Sequence, residues 1–366
     1  MKIRTITCHH AYNHGAMLQA YALTKYLQSL GHDASIINYR PGYKGNYNYL
    51  WYQSERARKY WLGIPYVLYH LPRRLLNVRK IKAFNSFVNK WLTIDNHLYT
   101  DIEQLRNAPP IADLYIAGSD QIWNTTLRTD AAFYLDFGTP KRKISYAASF
   151  ATPKLKVGTE AFVRDKLRNF DAISVRETSA LDILKSLGYK GEVVVDPVLL
   201  LSSEEWKQMM IPLKHDKYIL VYDFYGQKDI KQIAQRLARL KGCKVYSVSP
   251  NYLSYAHRNY NLSAPQYFLS LVNGAECVIS NSFHGTVFSL IFETDFFVIG
   301  RCDGMNERMK DLLRRYKLSN RLVTSDVTDK ELCHAIDYTT LKGIIDNDIK
   351  YSKLFMSEQL RISSQR

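Results

Sequence analysis

Residues that could bind an anion and move a proton follow four short apolar segments of the sequence. They are Asn13 and Gly15 after KIRTIT, Asp120 and Trp123 after ADLYIAG, Arg176 and Glu177 after DAISV, and His284 and Gly285 after CVISNS. Histidine changes its charge near neutral pH, so it can donate or accept a proton under working conditions. Arginine recognises carboxylates and phosphates. The set therefore suits chemistry on an anionic substrate that must gain a proton.

His284 is the most informative of these residues, because the sequence turns there from a strand pattern into a helix pattern. The first turn of a helix presents unpaired backbone N–H groups that favour anions. A titratable side chain beside such an anion site is what a phosphate-releasing transferase needs. The alternative is a hydrogen-bonded core histidine with a structural role.

The other candidates also have structural alternatives. Asp120 could cap a helix or turn, and Arg176 could form an ion pair with Glu177. The histidines between His9 and His14 are too crowded to form a recognisable metal spacing. We therefore predict no metal site.

The elements that must position these residues alternate between strand and helix patterns. After KIRTIT, Ala16, Ala20, Leu23 and Leu27 recur at helical spacing, and ASIINY resumes as a strand. The same alternation restarts after DPVLLLSSEEW with KYILVYDF and continues to about residue 320. It predicts an α/β protein with two doubly wound, mainly parallel sheets. Ligands of such sheets bind at the carboxyl ends of the strands, so all four groups should face a cleft between the domains.

We expect an N-terminal Rossmann-like domain over 1–205, a second one over 206–345, and a terminal helix and tail over 346–366. An insertion at about 42–96 interrupts the first domain. From Arg56 to Lys90 it carries nine basic residues and no acidic one, together with Tyr, Trp and Leu. We expect it to be mostly helical. It is either a solvated basic surface over a satellite core or a contact with an anionic membrane or a lipid-linked substrate.

The totals exclude several classes of protein. The chain has 366 residues and a net charge of +16, but no zinc, RNP or helix-turn-helix signature supports nucleic acid as the partner. No apolar run is long enough to span a membrane, and the first residues lack a secretory h-region. The five cysteines form no C-x-x-C pair, which favours free thiols in the cytoplasm. No Walker, GxGxxG or GxSxG motif occurs at a productive place.

Several blocks of the sequence together resemble the polysaccharide pyruvyl transferase family. They are HHAYNHGAMLQAYAL, AGSDQIWN, SYAASF, ISVRE, VVVDPVLLLSSEEW and SFHGTVFSLIF, in that order. The resemblance implies an architecture similar to the B-type glycosyltransferases. It also implies transfer of the enolpyruvyl carbons of phosphoenolpyruvate to a sugar of a surface or capsular polysaccharide precursor, with ketal formation and phosphate release.

The resemblance also implies roles for individual residues. His284 would be the general acid or the phosphate partner, and Arg176 would clamp an anion of the donor. Asp120 would orient or deprotonate an acceptor hydroxyl. Asn13 and Gly15 would line the acceptor side of the cleft, with Trp123 beside them. The donor would be a substrate, and no further cofactor is implied.

The sequence departs from the family pattern at Ser282, where many relatives carry an arginine two residues before the histidine. Ser282 and Gly285 would still border the donor site. We expect Arg301 or Arg308 to supply the missing cation. If neither does, the donor is another anionic compound. Three alternatives therefore stay open beside the pyruvyl transferase: a nucleotide-sugar glycosyltransferase of the same architecture, a non-catalytic glycan-binding relative, and a nucleic-acid-binding protein that only the charge suggests.

Overall fold

The computed structural model describes residues 1–41, 63–301 and 306–365. The N-terminal unit is built on a parallel four-stranded sheet of order β2-β1-β3-β4, and a short parallel pair, β5 and β6, lies beside β4. Its strands are β1 (Lys2–Ile6), β2 (Asp33–Ile36), β3 (Leu114–Ala117), β4 (Arg142–Ser145), β5 (Ser174–Val175) and β6 (Glu192–Val193). Its helices are α1 (His14–Ser29), α2 (Gly63–Trp91), α3 (Ile102–Asn107), α4 (Glu160–Leu167) and α5 (Ser179–Ser186).

The C-terminal unit is built on a parallel six-stranded sheet of order β12-β11-β10-β7-β8-β9. Its strands are β7 (Tyr218–Tyr222), β8 (Lys244–Ser247), β9 (Arg258–Asn259), β10 (Cys277–Ser280), β11 (Phe296–Ile299) and β12 (Leu322–Val323). The helices after β6 are α6 (Ser203–Lys207), α7 (Lys228–Leu240), α8 (Pro265–Asn273), α9 (Phe283–Ile291), α10 (Glu307–Arg315), α11 (Asp329–Cys333) and α12 (Tyr338–Gln365).

The two parallel sheets confirm the predicted fold class. Helical spacing of the apolar residues buries one face of each helix, as in α7, where Ile230, Ile233 and Leu237 are inaccessible to solvent. Strands β3, β7 and β10 read as nearly continuous apolar runs because helices cover the sheets. Helix α9 begins at Phe283, because Ser282 caps it.

Helix α2 corrects the prediction of a satellite core under the insertion. The side chains of Phe84 and Phe87 are fully buried and belong to the same apolar core as α1 and α8. The opposite side of the helix is exposed at Arg79, Lys82 and Lys90. Residues 42–62 of the predicted insertion lie outside the described residues. The described part of the insertion is therefore anchored in the main core, and its basic side faces solvent.

Helix α12 changes the predicted C-terminal boundary. The helix begins at Tyr338, so the boundary between 345 and 346 falls inside it. It packs back on the N-terminal unit, where the Ser352 hydroxyl accepts a hydrogen bond from the Val195 amide at 2.9 Å and Arg142 donates to Gln359 at 2.8 Å. The terminal helix thus links the two units.

Three further observations concern the described part of the chain. Of its cysteines, Cys243, Cys277 and Cys333 are free thiols. Within residues 1–41, 63–301 and 306–365, no three His, Cys, Asp or Glu side chains are grouped so as to hold a metal ion. None of the helices in these ranges has the length and apolar character needed to cross a membrane.

Candidate active site

A cleft of about 300 Å³ lies between the two units at the carboxyl ends of the strands. Most of the predicted residues line it, together with residues that the sequence did not single out. The predicted lining residues are Asn13, Asp120, Ser282, His284, Arg301 and Arg308, and the additional polar and aromatic ones are Gln121, Arg128, Phe224, Tyr225 and Asn281. The expectation that ligands bind at the carboxyl ends of the strands therefore located the cleft, and the structure shows which side chains reach it.

The first turn of α9 forms one wall of the cleft. Ser282 is the N-cap, and its hydroxyl accepts a hydrogen bond from the Gly285 amide at 3.4 Å. A Cβ at Gly285 would lie 2.7 Å from the Ser280 hydroxyl, so glycine lets the helix start close to β10. Serine at the N-cap and glycine three residues later thus explain how the sequence begins a helix directly after the strand. They place His284 in the first turn.

The first turn of α1 meets His284 from the other unit. Asn13 caps α1 by accepting a hydrogen bond from the Ala16 amide at 3.1 Å. Gly15 packs directly on the imidazole, since a Cβ there would lie 2.1 Å from Nδ1 of His284. Gly15 therefore allows the close approach of the histidine. It does not line the open cleft, in contrast to its predicted place on the acceptor side. Two helix N-termini, both favourable to an anion, converge at this point.

Arg176 lies behind the cleft wall and does not line the cleft, in contrast to its predicted role as a donor clamp. Its side chain is only 2% exposed, and its Nη1 donates to Oδ2 of Asp196 at 2.5 Å. Its guanidinium lies 4.4 Å from the ring centre of Phe283. The alternative of a structural ion pair is correct in kind, but the partner is Asp196 instead of Glu177.

Asp196 faces His284 from the N-terminal unit. Its Oδ2 lies 3.6 Å from Nε2 of His284, and its side chain is completely buried. Burial alone would raise the pKa of this carboxyl, but His284 and Arg176 lower it below its ordinary value. Asp196 is therefore a carboxylate at neutral pH.

Asp120 is held as a second carboxylate at the mouth of the site. Its backbone is left-handed, with a φ of 70°, a conformation that costs energy for a residue with a side chain. Its Oδ1 lies 3.7 Å from Nη2 of Arg176. Burial acts to raise its pKa, but Arg176, His284 and Arg308 lower it. An ionised, fixed carboxylate can orient a hydroxyl group by accepting its hydrogen bond.

Arg308 lines the same cleft as Ser282 and His284. It is buried, and its guanidinium lies 5.7 Å from the ring centre of Phe283, beside His284 in the cleft lining. Burial and the nearby Arg176 lower its pKa to about 10, so it remains charged at neutral pH. With its amide oxygen turned toward α10, Gln121 accepts hydrogen bonds from both Nη atoms, at 2.7 and 3.1 Å.

Arg301 occupies the rim of the same cleft. Its guanidinium stacks over Tyr225 at 5.1 Å from the ring centre and donates to the Tyr225 hydroxyl. Arg128 lies across from it, on the N-terminal side. Cations therefore occur both inside the cleft and at its entrance.

Trp123 does not take part in the cleft, and its predicted acceptor contact is wrong. Its side chain is fully buried, stacks on Tyr134 with ring centres 5.3 Å apart, and donates its indole N–H to the Phe133 carbonyl. It is a core residue of the N-terminal unit. Leu127 and Arg128 line the cleft where Trp123 was expected.

The sequence did contain a signal for Asp196. It follows the buried valines Val194 and Val195 and is therefore a polar residue after an apolar segment, as are the four groups singled out above. Tyr225 and Phe224 likewise follow β7 directly. Applying the same expectation to the end of every strand would have identified these residues.

The comparison with protein families assigns the chain. The model of the polysaccharide pyruvyl transferase family matches residues 13–303, a range that contains α1, Asp120, Asp196 and α9. The protein therefore belongs to this family, as the sequence blocks had indicated. No curated protein sequence matches the chain.

The similarity of this chain to solved structures concerns the fold alone. A glycosyltransferase involved in avilamycin A biosynthesis is 12% identical, with 100% of this chain and 99% of that chain covered and a TM-score of 0.47. The UDP-N-acetylglucosamine 2-epimerase of Rickettsia bellii is 12% identical, with 98% of both chains covered and a TM-score of 0.46. UGT89C1 of Arabidopsis thaliana is 10% identical, with 95% and 94% covered and a TM-score of 0.47.

Proposed function

We propose that the protein transfers a pyruvyl group from phosphoenolpyruvate to a sugar of a surface or capsular polysaccharide precursor, forming a cyclic ketal and releasing phosphate. The observation that supports it best is the placement of His284 at two converging helix N-termini beside Arg308. This arrangement offers an anion site and a proton donor within one cleft of a chain that belongs to the pyruvyl transferase family.

The donor carries a phosphate and a carboxylate, and it needs positive charge from several directions. The N-terminus of α9 and the guanidinium of Arg308 would bind one anionic group, and Arg301 at the rim would bind the other. Arg308 thus replaces the arginine that the family pattern would place at Ser282. The site must match the negative charge of the donor, and an arginine from another position along the chain can do so.

The proposed reaction proceeds through two additions of a hydroxyl group. His284 gives a proton to the methylene carbon of phosphoenolpyruvate, and the first sugar hydroxyl attacks the resulting cationic carbon and loses its proton. The carbon–oxygen bond to phosphate then breaks, and the second hydroxyl closes the ketal. One hydroxyl proton replaces that of the histidine, and the other leaves with hydrogen phosphate. Asp120 would orient the attacking hydroxyl.

The acceptor would approach from the N-terminal side, along Asn13 and Arg128, with Tyr225 across the cleft. Aromatic and planar polar side chains of this kind suit the faces and hydroxyl groups of a sugar. We propose a glycan or a lipid-linked oligosaccharide as the acceptor.

The basic side of α2 supports a place of action at a membrane surface. Arg79, Lys82 and Lys90 are exposed, and Leu75 beside them is 53% exposed. Anionic lipid headgroups attract such a segment with about 1 kcal/mol for each basic residue. A cytoplasmic protein with peripheral contact at the inner membrane face would meet a lipid-linked acceptor there.

The test combines donor, acceptor and one variant. Purified protein would be incubated with phosphoenolpyruvate and a lipid-linked glycan pool from its own source, and phosphate release and the mass of the glycan would be measured. We expect phosphate release that requires the glycan, with a matching mass gain. His284→Ala should reduce the rate by a factor on the order of 100 to 10,000, the usual contribution of a positioned proton donor.

Two results would contradict the proposal. Protection against thermal unfolding by a nucleoside diphosphate, but not by phosphoenolpyruvate, would indicate a nucleotide-sugar glycosyltransferase. Binding of the glycan without phosphate release, by a folded protein, would indicate a non-catalytic glycan-binding relative.

A further inference from the structure

Asp196 and His284 meet across the boundary between the two units. Asp196 follows β6, and His284 lies on α9, with 3.6 Å between Oδ2 and Nε2. In the described structure Nε2 is buried and has no hydrogen-bond partner. A ring nitrogen that faces a carboxylate at this distance is attracted when it carries a proton and repelled when it presents a lone pair. The geometry therefore favours a proton on Nε2.

The carboxylate cannot turn away from the histidine, because other groups hold both of its oxygens. Oδ1 accepts a hydrogen bond from the Val198 amide at 3.1 Å. Oδ2 accepts from Arg176 at 2.5 Å and lies 3.5 Å from the Ser119 hydroxyl. These partners form an anchored site with a fixed direction toward α9.

The other charged groups around the imidazole do not replace this carboxylate. Asp120 interacts with His284 through its charge, but it lies on the cleft side, and Arg176 lies between the two carboxylates. Arg308 reaches the cleft lining from α10. From helix α1, the uncharged Gly15 packs on the ring.

We propose that Asp196 is the positioning residue of the reaction: it keeps a proton on Nε2 of His284, so that the other ring nitrogen, Nδ1, exchanges the catalytic proton. This inference rests on the proposed function of His284 as the proton donor. Nδ1 of the imidazolium gives its proton to the methylene carbon and later regains one from the acceptor hydroxyl. Because the two residues belong to different units, the proton donor is assembled only when the units are in contact.

The test follows the protonation of His284 directly. Nitrogen NMR of protein labelled in histidine, with His284→Gln used for assignment, reports which ring nitrogen carries the proton at each pH. We expect the neutral wild-type ring to carry it on Nε2. In Asp196→Asn the protonated form of the ring should be less favoured, because the opposite charge that faces Nε2 is gone.

Kinetics should change in the same direction. The protonated form of His284 is the proton donor, and removing the carboxylate that faces Nε2 disfavours this form, so the alkaline limb of the kcat profile should move to lower pH in Asp196→Asn. At pH 8 we expect kcat to fall by about 10- to 100-fold, with a much smaller change in KM for phosphoenolpyruvate. Asp136→Asn is the matched control, since Asp136 pairs with Arg106 and Lys166 at the surface. It should leave both the titration and the profile unchanged.

The wild-type tautomer tests the inference even if the variant does not fold. A neutral His284 with its proton on Nδ1 would overturn the inference, and so would an unchanged titration in a folded Asp196→Asn. Failure of the proposed function would look different. The wild-type protein would then release no phosphate from phosphoenolpyruvate, while the coupling between Asp196 and His284 could still be measured.

Discussion

At the scale of single residues, the site depends on which cations reach the cleft and which are neutralised behind it. Arg176 and Arg308 are equally buried, but Arg176 is paired with Asp196, whereas Arg308 lies in the cleft lining. Both guanidiniums flank Phe283, at 4.4 and 5.7 Å from its ring centre. The aromatic ring thus separates a structural arginine from one that is available to a ligand.

This division predicts the effect of removing Arg308. Arg308→Gln should weaken phosphoenolpyruvate binding by about 10- to 100-fold, because a buried hydrogen bond to a charged group contributes about 1.5–3 kcal/mol. Arg301→Gln, at the solvent-exposed rim, should weaken it only a few-fold. Calorimetric titration of the donor measures both dissociation constants.

Arg236→Gln serves as the control, because Arg236 pairs with Asp329 away from the cleft. It should bind the donor as the wild type does. A greater loss in Arg301→Gln than in Arg308→Gln would show that the rim arginine, and not the buried one, replaces the cation missing at Ser282.

At the scale of elements, a stack of aromatic rings joins three helices beside the cleft. His14 at the start of α1 lies between Phe84 of α2 and Phe268 of α8, with ring centres 5.1 and 5.3 Å apart. The stack thus connects the insertion, the N-terminal unit and the C-terminal unit. Burial, together with the charge of Lys80, lowers the pKa of His14 to about 3. The imidazole is therefore neutral in the folded protein.

The buried histidine predicts a loss of stability in mild acid. The unfolded chain binds a proton at His14 below about pH 6.5, whereas the folded protein does not until about pH 3. This contribution to stability is present above pH 6.5 and is lost as the pH falls toward 3. Between pH 7 and pH 5 it amounts to about 2 kcal/mol.

Urea unfolding of the wild type and of His14→Phe at the two pH values measures this contribution. The variant keeps an aromatic ring in the stack and should lose less stability on acidification. His334→Phe, at an exposed position, should behave as the wild type does. Equal acid sensitivity in the wild type and His14→Phe would mean that His14 is protonated in the folded protein at pH 5.

At the scale of the whole molecule, the net charge of +16 is unevenly distributed. Part of it lies in the cleft, where an anionic donor would bind, and part lies on the exposed side of α2. Because Phe84 and Phe87 of α2 are buried in the main core, deleting the helix would damage the fold. Its surface role is better tested by changing the charges alone.

The membrane proposal predicts that a triple variant, Arg79→Glu, Lys82→Glu and Lys90→Glu, binds anionic vesicles on the order of 100-fold more weakly than the wild type. Co-sedimentation with phosphatidylserine-containing vesicles measures the binding, and neutral vesicles should bind neither protein. The matched control reverses three exposed basic residues of α7, Lys228, Lys231 and Arg239. Equal binding by both triple variants would mean that overall charge, and not α2, attracts the membrane.

The sequence by itself determined the element types, their alternation and the end of the sheet that carries the site. These features depend on periodicity and on residues next to each other in the chain, such as Ser282, His284 and Gly285, whose roles in starting α9 follow from local geometry. The family blocks depend on the same local order, which is why the family was identified before the fold was known.

Only the tertiary structure decided which side chains meet. It buried Trp123 in the core, paired Arg176 with Asp196, and brought Arg308 from a later helix into the cleft that Ser282 lines. It also set Asp196 of one unit against His284 of the other. Contacts between distant segments depend on how helices and sheets pack, and residue spacing along the chain carries no record of that packing.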